Sequence, residues 1–386
     1  MTTPQTQRLY FVDYLRVVLM VLVIAHHSAQ AYGPTGGTWP ITNPEISRLL
    51  GPFLGVNTML GMGLFFLVAG YFVPPAFDRR GAGPFSKGRF RRLGLPTLFF
   101  ALFVLGPSAY LTRPGQPSFV EFVRYLYQEG WLPLYSHLWF VVHLLVYSLV
   151  YVVWRLVADW VRRPDPSAPP GLKGGLPRRV AIQHGAILLF VILLALVAYV
   201  VRIEYPLDRW VPVLIFPVEP AHLPQYVSMF VIGILAYRGD WLRKLPTATG
   251  LVWLGIGVLA AVGYYVYGLL LTEFLPDLVD LGGKSWRSLV FCAWEALVLA
   301  GLGVGLLVLL RERLNRAPGK WLSAIAGAAF GAYIVHLFVV IGLQAGMGAV
   351  TLAPFIKFLI VTLSATILSF GIAHLAKKVP GLRRFL

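Results

Sequence analysis

A chain of 386 residues that is 58% hydrophobic and 13% charged lacks the polar surface of a soluble domain, where about a quarter of residues carry charge. Its net charge of +17 would suit a nucleic-acid binder, but the basic residues are distributed as in a membrane protein, so no nucleic-acid partner is expected. A single cysteine, Cys292, excludes intramolecular disulfides.

Ten apolar stretches stand near the ~20 residues that a bilayer crossing requires. They cover 10–30, 52–75, 93–112, 138–160, 181–201, 221–237, 249–271, 288–310, 322–345 and 352–376. The expected fold class is all-α: a polytopic bundle of about ten transmembrane helices, one domain over 1–386. Of the 33 Lys and Arg, 23 fall in the N-terminus, the even-numbered connections and the C-terminus, and seven in the odd-numbered connections. The positive-inside rule then places both termini in the cytoplasm of a plasma (inner) membrane protein. Arg8, the apolar run behind it and Ala29-Gln30-Ala31 have the form of a signal peptide. Asp13 and Arg16 interrupt the start of that run, however, so the reading is a retained first span.

That span carries the first chemical signal. A helix turns about 100° per residue, so eleven residues make about three turns. Asp13, Arg16 and His27 therefore share one face, with His27 about 16 Å beyond Arg16 toward the outside. Ionisable groups inside a membrane helix cost several kcal/mol unless paired or turned to a polar cavity. An imidazole is the usual general base for a hydroxyl. His26 sits about 80° off the stripe, so geometry selects His27. The plainer reading, that both histidines merely end the helix at the interface, stays open.

The second span is Gly-rich, from Gly61 to Phe72. A cytosolic run follows, with six basic residues between Arg79 and Arg92. Its Lys87, Arg89 and Arg92 could hold phosphates, or serve only as topology anchors. The outer connection 113–136 is aromatic-rich, as interfacial belts and sugar-stacking surfaces both are. Ser136-His137-Leu138-Trp139-Phe140 opens the fourth span. The Pro-rich segment 162–179 reads as a cytosolic loop between a four-helix and a six-helix part. Glu219-Pro220-Ala221-His222-Leu223-Pro224 opens the sixth span and suggests a broken helix lining a cavity. Gly301–Gly305, Gly327–Gly331 and Gly342–Gly346 have the small-xxx-small spacing of close helix packing. His336 lies deep in the ninth span and needs a partner there.

Taken in order, these segments carry a resemblance. Asp13-Tyr14-Leu15-Arg16 with ten residues to His27 comes first, then Phe65-Phe66-Leu67-Val68-Ala69-Gly70-Tyr71. The basic run to Pro96, His137-Leu138-Trp139-Phe140, Phe230 to Arg238 and Tyr333 to His336 follow. The chain resembles acyltransferase family 3 of membrane-bound acyltransferases, and within it the glucan-modifying, glucan succinyltransferase-like branch. Tyr14 and Ala69 depart from that branch, which often has Asn and Ser there.

The resemblance implies an O-acyltransferase that moves acetyl or succinyl from acyl-CoA, as co-substrate, to a hydroxyl of an extracytoplasmic carbohydrate or glucan. His27 would be the base. Arg16, oriented by Asp13, would hold the acyl or oxyanion end. Lys87, Arg89 and Arg92 would grip CoA phosphates. His137, Trp139, Glu219, His222 and His336 would face the acceptor. No bound cofactor or metal is expected, and the lipid bilayer is the remaining partner. A polysaccharide or lipid-linked-sugar flippase is the alternative, needing a polar cavity but no catalytic histidine. A bis-histidine haem protein is a third reading. The acyl group, the acceptor and the oligomeric state are not encoded in any motif.

Overall fold

A computed structural model describes residues 9–35, 39–111, 118–161, 183–275, 278–317 and 319–382. The Pro-rich segment 162–179 lies outside the described residues. Long apolar runs can satisfy their backbone groups in a membrane only as helices, and helices dominate the chain. In order they are α1 (Tyr10–Gln30), α2 (Leu50–Arg80), α3 (Ala82–Tyr110), α4 (Phe119–Gln128), α5 (Leu132–Val161) and α6 (His184–Glu204), followed by α7 (Leu223–Gly239), α8 (Thr247–Leu271), α9 (Trp286–Leu314), α10 (Lys320–Gly346) and α11 (Pro354–Ala376).

Among the described residues, nine of these helices are long and apolar enough to cross a membrane. The sixth expected span, 221–237, corresponds to α7. It has 17 residues and starts behind a 3-10 turn at Pro220–His222; Pro220 and Pro224 stand in the first turns of these two elements, where an amide has no intrahelical acceptor to lose. A two-stranded antiparallel hairpin, Val211–Val213 with Phe216–Val218, leads into that turn. In α3, π-helical stretches at Phe90–Gly94 and Ala101–Leu105 flank Pro96, where the hydrogen-bond ladder is interrupted.

The helix α1 packs on α2, α9, α10 and α11. The closest pairings are α8 with α9, α2 with α7, and α10 with α11. Glycine sets two of them. A side chain at Gly70 would strike the Phe230 carbonyl, and one at Gly233 the Leu67 carbonyl, so α2 and α7 touch backbone to backbone. Gly301 faces Gly257 in the same way, and Gly305 meets Leu254, which holds α9 on α8. Gly342 and Gly346 share the spacing, yet open space surrounds both. That motif is not a packing contact, because the face of α10 that carries it meets no other helix within reach of a methyl group.

Candidate active site

One end of the bundle holds a cavity of about 560 Å³. The helix α1 contributes Asp13, Arg16 and Met20. Phe65 and Phe72 come from α2, Phe140 from α5, and Phe330 and Tyr333 from α10. Its mouth is basic: Arg79, Arg80, Arg89 and Arg92 line it. The cavity thus runs from guanidinium groups at the mouth to aromatic walls at depth. Arg16 sits between these zones. Its guanidinium is 3.4 Å from Asp13 and lies 4.4 Å above the centre of the Phe72 ring. Asp13 is buried and one helical turn away, so it fixes the direction in which Arg16 points. Arg89 and Arg92 also cover aromatic rings, of Phe85 and Phe330. Lys87 is exposed and is not part of the lining, whereas Arg79 and Arg80 are. The run of six basic residues signalled this surface; the turn at Gly81 decided which of them face the cavity.

Beyond the inner end of the cavity, three imidazoles meet. His27 and His336 have ring centroids 5.2 Å apart, and His336 and His137 are 5.1 Å apart. Tyr333 links the cavity to these imidazoles. Its ring lines the cavity, and its hydroxyl donates to the His137 carbonyl on the far side. Trp39, from the connection after α1, stacks on His27 at 5.4 Å with 18° between the planes. Gln344 locks this arrangement. Its side-chain oxygen accepts from Trp39 Nε1 at 2.7 Å, and its amide nitrogen donates to the carbonyls of His27 and Ser28. His26 lies edge-on to the His27 ring, 5.5 Å between centroids, and accepts from Gln30. Sequence reasoning missed Trp39, Gln344 and Tyr333 as site residues. Trp39 and Gln344 stand 305 positions apart, and no local pattern joins them.

Glu219 and His222 have other partners. His222 Nδ1 donates to Glu219 at 2.8 Å, and its Nε2 is 3.7 Å from Glu295 of α9. Glu295 pairs directly with Arg202 of α6, which is 1% exposed. The Asp208 amide donates to Glu219 at 3.0 Å. Burial pushes the Glu219 carboxyl up, but the His222 imidazole, the Asp208 amide and Arg202 together hold it below the usual carboxylate range. This cluster ties α6, α9 and the turn before α7 together. Trp139 stands between the two polar centres: it stacks on Tyr226, which stacks on His222, and also touches His143 and Trp210. Sequence reasoning missed Arg202 and Glu295 here; an acidic residue inside an apolar run is the signal that could have found Glu295.

A family model described as an acyltransferase domain matches residues 9–374. The chain belongs to that acyltransferase family. This membrane acyltransferase is also similar to the glucans biosynthesis protein C of Salmonella schwarzengrund strain CVM19633 and of Salmonella heidelberg strain SL476. Each is 24% identical over 355 residues, covering 87% of this chain and 83% of the relative. No solved structure matches it.

Proposed function

We propose that this acyltransferase moves a small acyl group, acetyl or succinyl, from acyl-CoA at the basic end of the bundle to a hydroxyl of a glucan or related carbohydrate at the other. The carrying observation is that one helix, α1, presents Arg16 in the cavity and His27 in the imidazole cluster, about 16 Å further along its axis. The names of the relatives support a glucan acceptor. The arginine-lined mouth supports a phosphate-bearing donor, since guanidinium forks match phosphate oxygens. The positive-inside rule turns that mouth toward the cytoplasm, where acyl-CoA is found.

The reaction has a balanced route. The acceptor oxygen forms a bond to the acyl carbon, the carbon–sulfur bond of the thioester breaks, and the hydroxyl proton passes through His27 to the departing thiolate, giving free CoA. Arg16, held by Asp13, stands where it can stabilise the developing oxyanion or hold an acyl carboxylate. His27 does not line the cavity, so the acyl carbon reaches it only if lining side chains such as Tyr333 shift.

The test is thiol release from acetyl-CoA and succinyl-CoA by purified protein with a glucan acceptor, alongside the His27→Ala variant. We expect acceptor-dependent CoA release, reduced by about 10²–10⁴-fold in the variant. A folded wild-type protein that transports glucan without consuming either thioester would overturn the reading in favour of a flippase. Full activity in His27→Ala would remove His27 from the chemistry.

A further inference from the structure

We propose that His336 is the positioning residue for His27, filling with an imidazole the place that a carboxylate takes in most histidine-based catalytic sets. The proposal rests on the acyltransfer reading above. A backbone carbonyl can only accept a hydrogen bond, so a ring nitrogen facing one must carry the proton. His336 Nδ1 faces the Tyr333 carbonyl at 2.6 Å, and therefore donates. Its Nε2 is then a bare lone pair. His137 Nε2 donates to the Ile334 carbonyl at 3.1 Å, which leaves its Nδ1 bare in the same way. Both rings are held in one tautomer by the backbone of α10.

The bare Nε2 of His336 is buried and has no hydrogen-bond partner among the described residues, and His27 Nδ1 is in the same condition. These two atoms belong to rings whose centroids lie 5.2 Å apart. Among the described residues, no set of three His, Cys, Asp or Glu side chains is placed to ligate a metal. The two atoms make no hydrogen bond to each other as the rings stand, and a short in-plane approach of the rings would match the lone pair of His336 to a proton on His27 Nδ1. With the proton on Nδ1, His27 Nε2 is the basic nitrogen. Trp39 stacked on the His27 ring keeps the imidazole plane from turning. In the reaction, His27 Nε2 takes the hydroxyl proton as the oxygen–acyl bond forms. The His27 cation then shares its Nδ1 proton with His336, and Nε2 returns its proton to the CoA thiolate as the carbon–sulfur bond breaks.

Two replacements separate positioning from packing. His336→Gln keeps an acceptor oxygen at about the position of Nε2. His336→Phe keeps the ring and its volume but offers no acceptor. We expect His336→Gln to retain kcat within about tenfold, and His336→Phe to lose about 100-fold or more in kcat, with the KM for acyl-CoA unchanged, because a histidine in the wrong tautomer is a poor base. Retained activity in His336→Phe, or equal losses in two folded variants, overturns the proposal.

A measurement on the unaltered chain does not depend on those variants folding. Nitrogen-15 spectra of histidine-labelled protein, assigned by comparison with His27→Gln, should show His27 protonated at Nδ1 and bare at Nε2. The opposite tautomer overturns the proposal. If the wild-type protein consumes no thioester while the tautomer is as expected, the acyltransfer reading fails and the hydrogen-bond assignment stands.

Discussion

Glu295→Gln is the sharpest test of how the buried charges are balanced. Arg202 is 1% exposed and pairs with Glu295, which also approaches His222. The substitution leaves a guanidinium buried without its counter-charge. Breaking one partner of a buried pair costs about 3–5 kcal/mol. At about 1.4 kcal/mol per tenfold change, the opened population rises by roughly 10² to a few thousand-fold. Cys292 is buried, 3.6 Å from Arg202, and is the only cysteine in the chain. The rate of maleimide labelling in mild detergent therefore reads the opening directly, since labelling follows the open population when reclosure is fast. The paired replacement Arg202→Met with Glu295→Leu removes both charges and leaves His222 balanced by Glu219. It should label within about tenfold of wild type, because apolar replacement of both partners is often neutral. Unchanged labelling in Glu295→Gln would refute the argument that this pair carries the local stability.

Replacing Arg89 with Ala should raise the KM for acyl-CoA by roughly 10–100-fold with little change in kcat, since a hydrogen bond to a charged group contributes about 1.5–3 kcal/mol; steady-state rates of thiol release check it, and Lys87→Ala should leave KM alone. Gly70→Ala should lower thermal stability by about 1–3 kcal/mol because the new methyl meets the Phe230 carbonyl. Gly342→Ala, in open space on α10, should instead raise stability by about 0.5–1 kcal/mol; equal effects at the two sites would contradict the packing description. Gln344→Leu removes the acceptor of Trp39 and the donor to two carbonyls at the end of α1. We expect a fall in kcat of about tenfold or more, and fluorescence quenching by acrylamide should show Trp39 more accessible.

Much of the membrane architecture was legible in the chain. Bilayer thickness fixes the length of an apolar helix, so hydropathy located the helices. The period of α1 placed Asp13, Arg16 and His27 on one stripe, and the hydrogen-bonded Asp13–Arg16 pair is a local contact one turn long. Gly301–Gly305 and Gly342–Gly346 show where such reading stops. The two share a spacing, and only the first meets a partner helix. Within one helix the backbone period dictates which residues align. Between helices, rotation and axial register are set by packing, and a sequence pattern holds no record of them.

Sequence by itself determined that this is a helical membrane bundle with a polar stripe down its first helix, and it supplied the family resemblance. Tertiary structure decided the membership of each centre. It brought His137 and His336 to His27 from elements far along the chain. It sank Glu219 and His222 into a network with Arg202 and Glu295, because a buried guanidinium needs counter-charge. It chose Arg79 and Arg80, with Arg89 and Arg92, for the mouth of the cavity and left Lys87 in the open. Each of those outcomes depends on which helix faces which, and that is settled only when the whole bundle buries its surface at once.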